Sequence, residues 1–184
     1  MKSTKISLLV ESLLIVFVIL TGCQHENVSN ITDSNKTVPD YHKLFELELY
    51  SDKQTYKSTD KIKIWATIKY IGNNDQVKIW HGDPTVTFNI SDGKEFNIGG
   101  IINTILTSTM LENGELYKFD YAKNGGYSND DANADFWKKF YEEKDLYLPE
   151  GEYTIKASGA FSLTENLEES KNNLSKQINI SIVN

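Results

Sequence analysis

Lys61-Ile62-Lys63-Ile64-Trp65-Ala66-Thr67-Ile68-Lys69-Tyr70 divides into two sets that never mix. Ile62, Ile64, Ala66, Ile68 and Tyr70 stand at every second position, with the lysines, Trp65 and Thr67 between them. A period of two sends the sets to opposite faces of a strand, whereas a helix would spread both around its circumference. The same alternation recurs on either side. Phe45, Leu47 and Leu49 are separated by Glu46 and Glu48, and Val86, Phe88 and Ile90 by Thr87 and Asn89. Tyr117, Phe119 and Tyr121 alternate with Leu116, Lys118 and Asp120. Tyr153, Ile155, Ala157 and Phe161 share one face, and Ile178, Ile180 and Ile182 close the chain. One apolar and one wet face per strand is the demand of antiparallel sheets buried on a single side. Gly72-Asn73-Asn74-Asp75, Asp92-Gly93 and Asn113-Gly114 supply residues that tolerate positive φ, and read as hairpin turns. The pattern predicts an all-β, antiparallel β-sandwich of roughly seven to nine strands.

One helix interrupts it. In Asp135-Phe136-Trp137-Lys138-Lys139-Phe140-Tyr141-Glu142-Glu143-Lys144, Phe136 and Phe140 stand four apart, as do Trp137 and Tyr141. That spacing makes an aromatic stripe on a helix, with Asn133 or Asp135 to cap its start. Thr164 to Leu174 reads as a second short helix or a polar loop.

Leu148-Pro149-Glu150-Gly151-Glu152-Tyr153-Thr154-Ile155-Lys156-Ala157 resembles the start of a late strand in immunoglobulin-like domains. In that setting Gly151 and Tyr153 shape a corner at which the tyrosine hydrogen-bonds back to the main chain. Together with the run from Tyr56 to Tyr70, Asp92-Gly93-Lys94-Glu95 and Gly114-Glu115, the order of features is similar to the intracellular proteinase inhibitor family of bacilli and its lipoprotein-borne relatives. The resemblance implies an immunoglobulin-like sandwich and, as an activity, inhibition of a protease by a presented loop. The segments His81 to Pro84 and Asn124 to Asp131 are the candidates for that loop. The helix-bearing stretch from Gly125 to Lys144 departs from the family's compact pattern.

The beginning of the chain carries a different kind of signal. Lys2 and Lys5 precede an apolar run ending in Leu20, after which Leu20-Thr21-Gly22-Cys23 matches a bacterial lipobox at every position. The run is interrupted by Glu11 and is shorter than the ~20 residues that a membrane span needs. The expected organisation is a lipoprotein signal peptide over 1–22, a lipidated flexible tether over 23–42 and the sandwich over 43–184. Leu20, Thr21 and Gly22 would be read by the signal peptidase, and Cys23 would carry diacylglyceryl and palmitate chains. Each buried methylene contributes about 0.8 kcal/mol, so two or three acyl chains hold such a domain at a membrane. Cys23 is the only cysteine, which excludes a disulfide framework and CxxC chemistry.

The chain has 26 acidic against 19 basic side chains, a formal net charge of −7, and every basic residue is a lysine. Such a balance argues against a nucleic-acid partner and against electrostatic adhesion to anionic lipid. No catalytic or dinucleotide motif is present, and no cofactor is implied. Asp131-x-Asn133-x-Asp135 has the oxygen spacing of a calcium loop, but Phe136 stands where the loop needs glycine. The bland reading is an acidic helix N-terminus. Trp65, Trp80 and Trp137 are candidate partner-binding aromatics, with burial of Trp65 beneath the helix as the competing reading. The expected role is a non-enzymatic binding domain on a lipid anchor at the extracytoplasmic face of a cell membrane. A surface proteinase inhibitor is the alternative, and a wall hydrolase using unpaired carboxylates a more remote one.

Overall fold

Ile64, Ala66, Ile68 and Tyr70 are all buried, and the residues between them are half-exposed, so the alternating run becomes the central strand of a sheet. The computed structural model describes residues 39–168 and 172–184. They fall in the second of two compact units, Thr37–Asn184. The leader, Leu20 to Cys23 and the tether as far as residue 38 lie outside the described residues.

The strands are β1 (Phe45–Ser51), β2 (Thr55–Lys57), β3 (Ile64–Tyr70), β4 (Gln76–Ser91), β5 (Asn97–Gly99), β6 (Asn103–Glu112), β7 (Leu116–Asp120), β8 (Gly151–Ser162) and β9 (Ser175–Val183). Helix α1 spans Ala134–Glu142. The small sheet has the order β1-β3-β7, and the large one β2-β9-β8-β4-β5, with β6 also paired to β4. This is an all-β sandwich. Its inner faces meet in one core that includes Leu47 and Ile68 from the small sheet and Ile79, Ile90, Ile155 and Ile180 from the large one. Among the named strands the pairing departs from the expected antiparallel scheme once: β2 runs parallel to β9, with Tyr56 beside Ile182. The chain leaves β1 at one edge of the small sheet and continues as β2 at one edge of the large one.

Turn chemistry was legible, but the partners of the turns were not. Asp92-Gly93 does close a hairpin, since Ser91 pairs with Asn97 and Gly93 takes φ 74°. The Gly72–Asp75 turn instead carries the chain from β3 to β4, and Asn113-Gly114 carries it from β6 to β7. Both therefore cross between sheets. Thr164 to Leu174 is loop wherever it is described.

The domain starts earlier than expected. Tyr41, assigned to the tether from sequence, is 1% exposed in a 3-10 turn at Tyr41–Lys43. Its ring packs against Phe45 and Phe161, and its hydroxyl accepts a hydrogen bond from the Leu163 N–H at 3.1 Å. At the opposite end of the core Phe140 of α1 is buried against Phe96, which also meets Trp137 and Tyr153.

Candidate functional site

The longest strand is built to fail in its middle. Gly82-Asp83-Pro84 lies inside β4, and Pro84 has no N–H to give to a ladder. Pairing with β8 is regular up to His81, breaks, and resumes at Val86, while pairing with β6 shifts between His81 and Asp83. The Asp83–Pro84 peptide is cis. His81 to Pro84, a candidate for the presented loop from sequence, is thus strand and not a loop. His81 is buried, with Nδ1 2.6 Å from the Gly82 carbonyl and Nε2 2.8 Å from the Thr109 hydroxyl.

Beside this break lies a cleft of about 410 Å³. Val86 and Phe88 of β4 form one wall, and Asp120 and Tyr121 at the end of β7 form the other. The link from β5 to β6 contributes Ile101, and the first residue of β6 contributes Asn103. Phe88 and Tyr121 meet edge to face with centroids 5.7 Å apart, giving an aromatic floor. Burial, and Tyr141 after it, push the Tyr121 phenol far above its ordinary 10.0, so the floor is uncharged. Asn124 clamps the rim, accepting from the Ile101 N–H at 3.3 Å and donating to its carbonyl at 2.8 Å. A Cβ on Gly100 would stand 3.1 Å from the Asn124 side chain, so a larger residue there would press on the clamp. Asp83 and Asp120 are exposed on the rim, and Asp120 holds Lys118 at 2.6 Å. The cleft therefore offers stacking surface below and neutral amides and carboxylates above.

The candidates named from sequence are not brought together. Trp65 faces outward from the small sheet, where Tyr50 stacks on it at 5.5 Å and Lys118 lies 5.3 Å from the ring. The expected cover by α1 is corrected by this: the aromatics of α1 pack on Phe96, because α1 sits at the end of the sandwich near Tyr153 rather than over β3. Trp80 faces outward from the large sheet, between Ser108 and Ser162 in register, with Lys78 5.4 Å from its ring. Trp137 packs half-buried against the core. Trp65 and Trp80 thus occupy opposite outer faces and cannot share a ligand.

Around the proposed calcium spacing, the Asp131 carboxylate accepts the Ser128 N–H at 2.7 Å. Asn133 enters α1 with φ 64° and makes no side-chain cap, so the expected capping by Asn133 is replaced by a left-handed backbone turn. Asp135 lies in the first turn of α1, where the helix dipole favours it. No group of three or more His, Cys, Asp or Glu able to hold a metal occurs among the described residues. Gly151 and Tyr153 take the corner expected of them: the Tyr153 hydroxyl donates to the Pro149 carbonyl at 3.1 Å.

Two features carried no sequence signal. Lys123 donates to the carbonyls of Phe140 and Glu143 at 2.7 and 2.8 Å and lies 4.1 Å from the Phe140 ring, pinning the end of α1. Strand β6 is exposed from Asn103 to Met110 and shows no alternation of burial.

No family model and no curated protein matches the chain. Among solved structures it is similar to a β-glucosidase of Erythrobacter marinus, at 15% identity and a TM-score of 0.40, covering 76% of this chain and 15% of that one. It is also similar to Spo0M, a sporulation control protein of Bacillus subtilis, at 10% identity and 0.38, covering 76% and 49%. A β-glucosidase of Listeria innocua matches at 9% identity and 0.34, covering 75% and 16%. The chain spans less than half the length of each of these proteins. Likenesses of this size carry no activity across to this chain.

Proposed function

We propose that this chain is a lipoprotein anchored through Cys23 at the extracytoplasmic face of the cell membrane, and that its sandwich is a non-enzymatic binding domain for a protein or cell-wall partner. The lipobox at Leu20 to Cys23 supports the anchor. The observation that carries the binding reading is the cleft beside the β4 break, with its Phe88–Tyr121 floor and its amide and carboxylate rim. Aromatic floors with hydrogen-bonding rims suit uncharged, hydroxyl-rich or peptide ligands. The second reading, a surface proteinase inhibitor, draws on the family resemblance and on the exposed segment Asn124 to Asp131, which remains outside the strands.

One experiment addresses both parts. The full chain is expressed with a photo-crosslinking residue at Ile101, which is 62% exposed on the cleft rim, or at Trp65 on the other face. Wild-type Cys23 should send the protein to the membrane fraction, and Cys23→Ala should release it. Illumination of intact cells should give an adduct from position 101 that position 65 does not give. A Cys23→Ala protein that still fractionates with membranes removes the anchor. Equal adducts from both positions remove the cleft, and a protease as the adduct favours the inhibitor.

A further inference from the structure

The outer side of β6 offers backbone groups with no partner among the described residues. At its end the Asn113 N–H donates to the Asp75 carbonyl at 2.8 Å, whereas the Glu112 N–H turns away from β4 to the Tyr117 hydroxyl at 2.9 Å. In an antiparallel ladder the N–H and C=O of one residue point the same way, and the direction alternates along the strand. Leu111, Thr109 and Thr107 therefore face β4, and Met110 and Ser108 present both groups outward; Leu106 follows at the near end of the bulge between Thr107 and Asn103. Leu106 and Met110 are 43% and 41% exposed.

This edge differs in charge from the others. The chain has no ionisable side chain from Phe96 to Leu111, although its formal net charge is −7. Edge β1 carries Glu46 and Glu48, edge β7 carries Lys118 and Asp120, and edge β2 is three residues long. Charges and short length are the usual protection of a free edge, and β6 has neither.

The strand is also complementary to itself. Laid antiparallel against a second copy with the two-fold axis at Ser108, it sets Ser108 opposite Ser108 and Leu106 opposite Met110 in both directions. Ser108 and Met110 have N–H and C=O pointing outward, and Leu106 stands at the near end of the bulge. The same register sets Thr104, inside the bulge, opposite Glu112, whose N–H Tyr117 holds, so the two obstructed residues meet each other at each end and the ladder between them stays clear. Moving the axis to Thr109 would set Glu112 against Leu106, and moving it to Thr107 would set Thr104 against Met110, so either leaves fewer clear pairs. The Ser108 register also opposes no like charges, which would destabilise a cross-strand pair. It sets Leu106 of one copy beside Met110 of the other, on the outer face that also carries Trp80.

We propose that β6 joins two copies of this chain edge to edge, antiparallel about Ser108, so that their large sheets become one. The pairing rests on the β6 edge alone and not on the cleft or the anchor.

The test uses the full chain in intact cells. Residues paired by hydrogen bonds across an antiparallel ladder have Cα atoms about 5.5 Å apart, within disulfide range. Ser108→Cys, treated with copper–phenanthroline as oxidant, should convert to a band of twice the chain's mass several-fold more than Leu116→Cys, a 66%-exposed control on β7. Leu106→Cys and Met110→Cys should each stay at the control level alone and reach about half the Ser108→Cys level when co-expressed in equal amounts, since about half of randomly mixed dimers pair one of each. Adding Met110→Lys should return Ser108→Cys to the control level. Crosslinking at Ser108→Cys no greater than at Leu116→Cys overturns the proposal, as does an adduct with a different protein only. A failure of Cys23→Ala to change fractionation bears on the anchor and leaves these readouts intact.

Discussion

Tyr153 shows how much one hydroxyl does at a corner. The chain turns at Gly151, with φ 157°, and the Tyr153 hydroxyl reaches back four residues to the Pro149 carbonyl. Tyr153→Phe keeps the ring against Phe96 and removes only that bond. It should cost about 1 kcal/mol, read as a lower urea midpoint with an unchanged m-value. The corner was legible because its residues are close in sequence and its geometry is local. The same holds for Asp92-Gly93. Lys123 was not legible, because its role depends on two carbonyls some twenty residues away that only the fold brings near. Its ammonium is pushed down from 10.5 by burial, with Glu143 and Asp145 opposing that fall. The competing reading of Trp65, burial beneath α1, failed for a related reason. Period two says which face a residue takes, but not that Tyr50 is its neighbour in register.

Among the elements, α1 depends on Phe140, which is 7% exposed and touches Phe96. Its stripe of aromatics predicts a docked helix, and nine residues are too few to hold a helix without docking. Phe140→Ala should cost about 3–5 kcal/mol, with the loss shown first as faster amide exchange across Ala134–Glu142. The strands β1, β3, β4 and β8 could be read because each buries one face and so prints its period on the sequence. Strand β6 prints no period because both its faces are wet, and β5 is too short to show one. The cleft had a partial signal in Gly82-Asp83-Pro84: a proline inside an alternating run marks a broken ladder. What it opens onto was set by β7, which is distant in sequence and invisible to local pattern.

For the molecule as a whole, titration should be felt most on the alkaline side. Burial first, and then Asp52, push the Tyr56 phenol from 10.0 to about 12, and burial raises Tyr121, Tyr141 and Tyr153 as well. A group whose pKa is higher when folded stabilises the fold fully below its unfolded value and loses that contribution as pH rises through its folded one. Thermal midpoints should therefore fall as pH rises from about 10 towards 12, with tyrosinate absorbance appearing together with unfolding. A midpoint flat across that window would contradict the burial of these phenols. Tyr41 adds a consequence of a different kind. Because its ring packs between Phe45 and Phe161, the chain is fixed to the sandwich from that residue onward. On the proposed lipidation of Cys23, chain length alone then limits the distance from the lipid to Tyr41 to roughly 60–65 Å, at about 3.3–3.6 Å per residue. Under that proposal, a partner has to come close to the lipid surface to be reached.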